Sequence, residues 1–193
     1  MTTVFIIHGA YGNPEENWFL WLKEKLTEMG CVVFTPTFPT PKDQSLDNWL
    51  KALKPFEGYI DEDTIFVGHS LGSTFILSVL EKLSKKVKGT FLVAGFIGPV
   101  RDSRDTMNRI NSTFGDRNFK WDKIKGNCGK FVLINSDNDP YVPLEIAENV
   151  SRPLGVPLTI IRDAGHFNKD SGYTRFPELL DMIEDLISSG QVK

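Results

Sequence analysis

Residues 64–83 read TIFVGHSLGSTFILSVLEKL, and the architecture of the chain can be worked out from this stretch. Residues 64–67 are apolar or β-branched, which is typical of a buried strand. Residues 71–83 are mostly apolar over the length of a helix. Only Gly68-His69-Ser70-Leu71-Gly72 lies at the junction, so the strand must pass into the helix through a sharp turn at Ser70.

This pentapeptide fits the pattern G-x-S-x-G, in which a tight strand-to-helix turn exposes a serine hydroxyl at the top of a sheet. The helix that follows presents its partial positive charge to that hydroxyl. The pattern therefore predicts that Ser70 is a nucleophile. A serine nucleophile also needs a base and an acid that orients the base.

The composition is that of an ordinary globular protein, with 193 residues, 40% hydrophobic and 24% charged. It predicts a single domain over residues 1–193. The net charge of −3 and the absence of a basic stripe argue against a nucleic-acid partner. The N-terminal apolar run is too short for a signal peptide, and the apolar region 91–100 is broken by glycine and proline. We therefore expect no membrane insertion and a cytoplasmic location.

Six short runs rich in β-branched and apolar residues recur along the chain, at residues 4–7, 32–35, 64–67, 90–94, 131–135 and 158–161. They are continuous rather than alternating, as expected of strands covered on both faces. Helical patterns separate them, which predicts an α/β fold with a mostly parallel sheet of about six strands and helices on both faces. The irregular residues 95–129 are predicted to cross the carboxyl edge of the sheet, where such folds bind ligands.

Local signals predict where several helices begin and end. Asn13 followed by Pro14 predicts the start of the first helix, and Gly30 its end. Ser45 is predicted to cap a shorter helix, and the last helix is predicted to start near Pro177.

The chain has three histidines, so the base can be sought by elimination. His8 ends the first predicted strand, and His69 points elsewhere on the sharp turn that carries Ser70. His166 follows the last predicted strand, on a loop that opens at the same edge of the sheet. We therefore predict that His166 is the base.

The acid is expected after the fifth predicted strand, where Asp137 and Asp139 offer two carboxylates. Asp139 precedes a proline, which restricts it to an extended conformation. Asp137 is the alternative, but its position favours turn formation. Asp163 is close to His166 in sequence, whereas the orienting acid usually comes from a different loop. Asp139 is therefore the predicted acid.

The resulting order of Ser70, Asp139 and His166 is the order found in α/β-hydrolases. The oxyanion of an acyl-transfer reaction would be bound by the backbone N–H of Leu71 and by that of Ala10 in the loop after the first strand. This chemistry requires no metal and no organic cofactor.

Aromatic residues near this edge are predicted to line an apolar acyl pocket, with a place in the core as the alternative for each: Tyr11, Phe38, Phe96, Tyr141 and Phe167.

These residues make the chain resemble the small serine hydrolases of the α/β-hydrolase superfamily that are grouped with retinoblastoma-binding protein 9 and the YdeN-type proteins. The matching segments are His8-Gly9, the helix bearing Trp18, Trp21 and Leu22, and residues 68–72, 121–128, 136–143 and 163–167. The resemblance implies a compact α/β-hydrolase fold without a large cap domain, and hydrolysis through Ser70, Asp139 and His166. Retinoblastoma binding through L-x-C-x-E is not expected, because the sequence lacks that motif.

The residues predict a serine hydrolase that acts through an acyl-enzyme, and the resemblance implies a carboxylesterase-like enzyme that cleaves a small acyl ester. The alternatives are a thioesterase or an amidase or peptidase on the same fold, and a protein-binding member of the fold with low turnover.

Overall fold

A computed structural model of the chain describes residues 1–100 and 105–189. Six strands form one sheet in the order β2-β1-β3-β4-β5-β6, and all neighbouring strands are parallel. The strands are β1 (Thr3–Ile7), β2 (Val32–Phe34), β3 (Thr64–His69), β4 (Gly89–Val93), β5 (Phe131–Ser136) and β6 (Leu158–Ile161). The six predicted strands and their parallel arrangement are confirmed.

Helices cover both faces of this sheet. They are α1 (Phe19–Glu28), α2 (Leu46–Leu53), α3 (Leu71–Lys82), α4 (Asp105–Gly115), α5 (Trp121–Gly126), α6 (Leu144–Leu154) and α7 (Pro177–Ser189). Short 3₁₀ helices occupy Lys54–Tyr59 and Lys169–Ser171.

The apolar core divides into two clusters, one on each side of the sheet. The first cluster contains Trp49 of α2, Phe75 of α3 and Ala147 of α6. The second contains Leu22 of α1 and Ile183 of α7. Strand residues alternate between the clusters, which explains why the strands are apolar throughout.

The first helix begins later than its local signals predict. Asn13 Oδ1 accepts the backbone N–H of Glu15 at 2.9 Å, but this caps only a turn. Asn17 has φ +53°, which interrupts a helix, and α1 begins at Phe19. The predicted end is confirmed, because Gly30 has φ +82° just beyond α1.

The other predicted helix starts are confirmed. Ser45 Oγ accepts the backbone N–H of Asn48 at the start of α2, and α7 begins at Pro177. The irregular region 95–129 contains α4 and α5, which both pack against α3. In the described ranges, each helix is too short or too polar to span the hydrocarbon core of a bilayer. A single domain over residues 1–193 stays a prediction.

Candidate active site

Ser70 lies at the junction of β3 and α3 in a backbone conformation that a residue with a side chain rarely adopts, with φ +54° and ψ −121°. Its N–H donates to the carbonyl of Val93 at 2.9 Å, which ties the turn to β4. Gly72 is required beside it, because a Cβ there would lie 2.4 Å from the carbonyl oxygen of Ile7. The turn therefore holds α3 directly against β1.

The loop after β1 approaches Ser70 closely. A Cβ on Gly9 would lie 3.1 Å from Ser70 Cβ, so only glycine allows this contact without displacement. The N–H of Tyr11 donates to Thr40 Oγ1 at 2.7 Å and is committed to that bond. In this loop the N–H of Ala10 is thus the better candidate for an oxyanion donor. Leu71 is the first residue of α3, where an N–H has no acceptor within the helix.

Asp139 and His166 are joined by a hydrogen bond of 2.8 Å between Oδ2 and Nδ1. The Asp139 side chain is fully buried. Its other oxygen, Oδ1, accepts the backbone N–H groups of Tyr141 at 2.8 Å and Val142 at 3.0 Å. The carboxylate is therefore fixed by three donors, and its partner nitrogen on His166 must carry the proton.

Ser136, Asp137 and Asn138 hold the loop of His166 to the end of β5. Ser136 Oγ accepts the N–H of Ala164 at 3.0 Å. Asp137 Oδ1 accepts the N–H of Asp163 at 2.9 Å, and Asn138 Oδ1 accepts the N–H of Gly165 at 2.7 Å. The structure thus gives Asp137, the alternative acid, a contact with the backbone of this loop, and Asp139 the contact with the imidazole.

The same loop is also held from the opposite side. His69 donates from Nε2 to the carbonyl of His166 at 2.7 Å, and the Trp18 indole N–H donates to the carbonyl of Phe167 at 2.9 Å. Trp18 belongs to the second core cluster, and His69 is buried against Trp18 and Phe19 of that cluster. Nothing in the sequence pattern predicts these two bonds.

His8 is committed to the backbone through both ring nitrogens. Its Nε2 accepts the N–H of Phe38 at 3.0 Å, so Nδ1 carries the proton and donates to the carbonyl of Gly9 at 2.8 Å. Burial lowers the pKa of His8, which keeps the ring neutral. His8 therefore stabilises the end of β1 and is not placed to act as a base.

Burial also lowers the pKa of His69, to about 3, and the nearby His166 ring acts in the same direction. We expect this to make folding stability depend on pH. In the unfolded chain a histidine binds a proton below about pH 6.5, whereas folded His69 stays neutral. The free energy of unfolding should therefore fall as the pH drops below 6.5, by up to about 1.4 kcal/mol per pH unit for this group.

Urea denaturation between pH 4.5 and 7.5 measures this slope, and His69→Gln is the comparison because it removes the titrating group and keeps a donor. The slope should be shallower in the variant. His8 contributes equally to both proteins and cancels. Equal slopes would contradict the account of His69 as a buried neutral imidazole.

Ser70 and His166 line one cavity of about 340 Å³ at the carboxyl edge of the sheet. One wall is contributed by Phe96, Val100, Asn111 and Val142, and a second wall by Glu16, Asn17, Asn168, Lys169 and Asp170. The first wall is mostly apolar and the second is polar.

Three of the five predicted pocket residues line this cavity, namely Tyr11, Phe96 and Tyr141. The prediction is wrong for Phe38 and Phe167, which are buried in the core. Phe38 stacks on Trp49 at 4.7 Å between ring centroids, and Phe167 stacks on Phe176 at 5.4 Å. Phe38 belongs to the first core cluster and Phe167 to the second, so apolar packing in the core fixes the direction of both side chains.

Sequence patterns missed Asn111 and the polar wall altogether. Asn111 lies on α4, in the least regular part of the chain, and carries no motif. Asn17 and Lys169 are brought together by a hydrogen bond of 2.8 Å between residues far apart in sequence. Val142, Asn168 and Lys169 could have been found, because each lies within three residues of the predicted acid or the predicted base.

A hydroxyl that shares a cavity with an imidazole held by a buried carboxylate can be deprotonated as it attacks an electrophilic carbon. The backbone N–H groups around Ser70 and the start of α3 can stabilise the negative charge that then develops on oxygen. The site therefore has the groups required for acyl transfer.

Comparison with known proteins places the chain among hydrolases. It is 30% identical to the protein YdeN of Bacillus subtilis over 187 residues, which covers 96% of each chain. It is 27% identical to the serine hydrolase RBBP9 of Rattus norvegicus over 190 residues, covering 97% of this chain and 96% of the relative.

Solved structures share the fold. The crystal structure of the B. subtilis ydeN gene product matches with a TM-score of 0.89 at 29% identity, over 97% of this chain and 100% of that one. A carboxylesterase of the thaumarchaeon Nitrososphaera gargenis matches with a TM-score of 0.71 at 10% identity, over 97% and 90% of the two chains. The fold is that of the α/β-hydrolases, and the described residues include no large cap domain.

The family model for serine hydrolases matches residues 4–185, which include the whole sheet except Thr3 and all the residues of the cavity described above. The chain therefore belongs to the serine hydrolase family.

Proposed function

We propose that the protein hydrolyses small acyl esters, with Ser70 as nucleophile, His166 as general base and Asp139 as the group that orients His166. The observation that carries this proposal is the 2.8 Å bond between the buried Asp139 carboxylate and His166 Nδ1, on the cavity that Ser70 also lines. A buried carboxylate in this position favours the neutral tautomer whose Nε2 can accept a proton.

The reaction follows from this geometry. His166 Nε2 takes the proton of the Ser70 hydroxyl while the oxygen attacks the acyl carbonyl. The oxyanion of the tetrahedral intermediate accepts hydrogen bonds from the N–H groups of Leu71 and Ala10. The C–O bond to the leaving group then breaks, and His166 returns the proton to the departing alkoxide. Water, deprotonated by the same imidazole, releases the acid and restores Ser70.

The cavity supports a small substrate. A volume of about 340 Å³ is near the lower end of the range for small-molecule sites, which is about 300–1,000 Å³. Its apolar wall fits a short acyl group. The match to a carboxylesterase of the same fold favours an ester over other acyl compounds. From the sequence we further propose a cytoplasmic location and no nucleic-acid partner. We also propose that the reaction needs no metal and no cofactor.

Substrate preference tests the proposal. We expect p-nitrophenyl butyrate to be hydrolysed with a kcat/KM at least about tenfold higher than those of butyryl-coenzyme A and butyryl p-nitroanilide. Because the cavity is small, we also expect butyrate to be preferred over dodecanoate. Faster cleavage of the thioester or of the anilide would favour a thioesterase or an amidase instead. Turnover of none of these compounds would favour a binding protein.

A further inference from the structure

A chain of hydrogen bonds connects the loop beside Ser70 to helix α4. The N–H of Tyr11 donates to Thr40 Oγ1 at 2.7 Å, and the Thr40 hydroxyl donates to Gln44 Oε1. Gln44 Nε2 then donates to Asn111 Oδ1 at 2.7 Å. Gln44 and Asn111 are both buried, and a buried amide is costly unless its polar atoms are paired.

The direction of these bonds starts from a group whose role is unambiguous. A backbone N–H can only donate, so Thr40 Oγ1 accepts from Tyr11. The hydrogen of the Thr40 hydroxyl is directed to Gln44 Oε1. Gln44 therefore turns its amide nitrogen to Asn111 and occupies Oδ1 of that residue. Asn111 lines the cavity, and because its Oδ1 is bonded to Gln44, the group that it can offer to a substrate is its amide nitrogen, Nδ2. This nitrogen is a donor.

The two walls of the cavity belong to opposite faces of the sheet. Phe96, Val100 and Val142 pack into the cluster that contains α3. The loop of His166 packs through Ala164 and Phe167 into the cluster that contains α1. Because His166 protonates the leaving group, the leaving group must lie on the side of that loop. The acyl chain is then directed toward the wall that contains Asn111.

This acyl wall is held in place by α4. Asn108 bonds both polar groups of the Val100 backbone: its Oδ1 accepts the N–H at 3.0 Å and its Nδ2 donates to the carbonyl at 3.3 Å. Asn111 lies one turn further along the same helix. The mostly apolar wall is therefore fixed by α4, and the Asn111 amide is an oriented donor within it.

We propose that Asn111 determines specificity by donating from Nδ2 to an oxygen on the acyl chain of the substrate. The substrate class is then esters of short carboxylic acids that carry a keto, ether or hydroxyl oxygen. This inference rests on the proposed ester hydrolysis. Thr40 and Gln44 are positioning residues that set the direction of the Asn111 amide.

Two esters of nearly equal shape test the inference. In p-nitrophenyl 4-oxopentanoate a keto oxygen takes the place of one methyl group of p-nitrophenyl 4-methylpentanoate. For each ester, kcat/KM is divided by the rate of spontaneous hydrolysis. The ratio of the 4-oxopentanoate value to the 4-methylpentanoate value is then measured in the wild type and in Asn111→Leu. We expect this ratio to be about tenfold higher in the wild type, because the variant lacks the donor.

Asn111→Asp is the matched second variant, measured at pH 8. Its carboxylate can still accept the bond from Gln44 but offers no N–H, so the ratio should fall as it does in Asn111→Leu. It also decides the question if Asn111→Leu does not fold. If Asn111 had a purely structural role, its replacement would lower kcat/KM for both esters by the same factor. The ratio would then be unchanged, which would overturn the inference. Failure of the wild type to hydrolyse either ester would count against the proposed function itself.

Discussion

Replacing Asp139 with Asn is expected to lower kcat for ester hydrolysis by about 10⁴-fold without unfolding the protein. The backbone N–H groups of Tyr141 and Val142 both donate to Oδ1 of this residue. They would fix the amide oxygen of an asparagine in the same place. The amide nitrogen would then face His166 Nδ1, where the native carboxylate accepts a hydrogen bond.

His166 would have to respond by accepting at Nδ1 and carrying its proton on Nε2. In that tautomer the imidazole cannot take the proton of Ser70, so the loss should appear in kcat more than in KM. The measurement is steady-state hydrolysis of p-nitrophenyl butyrate, with the circular dichroism spectrum as the check on folding.

Asp137→Asn is the matched control, because it makes the same chemical change two residues away. Among the described residues, the hydrogen bond of the Asp137 side chain is with the backbone N–H of Asp163, and the asparagine oxygen can also accept that bond. Its kcat should stay within about threefold of the wild type. The assignment of the acid would be contradicted if Asp137→Asn lost activity and Asp139→Asn kept it.

The sheet could be predicted from the sequence because its inner strands β1, β3 and β4 are buried on both faces and are therefore apolar in continuous runs. The same holds for the turn at Ser70. Gly68 and Gly72 bracket the serine, and a Cβ at either position would collide with the backbone. These glycines lie within two residues of Ser70, so the turn can be predicted from neighbouring residues in the sequence.

The start of α1 could not be predicted in this way. Asn13 and Pro14 are a typical helix start, but Asn17 adopts φ +53° and its Oδ1 accepts the N–H of Lys169 at 2.8 Å. That partner is 152 residues away in sequence. A contact between residues so far apart in sequence overrides the local preference for a helix start. Local sequence patterns cannot predict such a contact.

The cavity was predictable only in part, for a related reason. An aromatic residue at the sheet edge can turn toward the core or toward the cavity, and the packing around it decides. Phe96 lines the cavity, whereas Phe38 is held in the core by Trp49 and Phe75. Asn111 owes its place to Gln44, a partner 67 residues away that only the folded chain supplies.

Ser70→Ala should lower kcat by about 10⁴- to 10⁶-fold, because the alanine leaves the base and the oxyanion donors without a nucleophile. The variant should fold, since Ala is smaller than Ser and the N–H to Val93 is kept. Ser84→Ala is the control, because Ser84 is exposed and lies beyond the end of α3. It should keep the full rate.

Covalent labelling with a fluorophosphonate tests the central claim most directly, because it requires the nucleophile, the base and the oxyanion donors together and needs no knowledge of the natural substrate. Intact-mass and peptide mass spectrometry of the folded protein should show one adduct, on Ser70. The adduct should be absent from Ser70→Ala and present in Ser84→Ala. An adduct on another residue, or no adduct on the folded wild-type protein, would contradict the account.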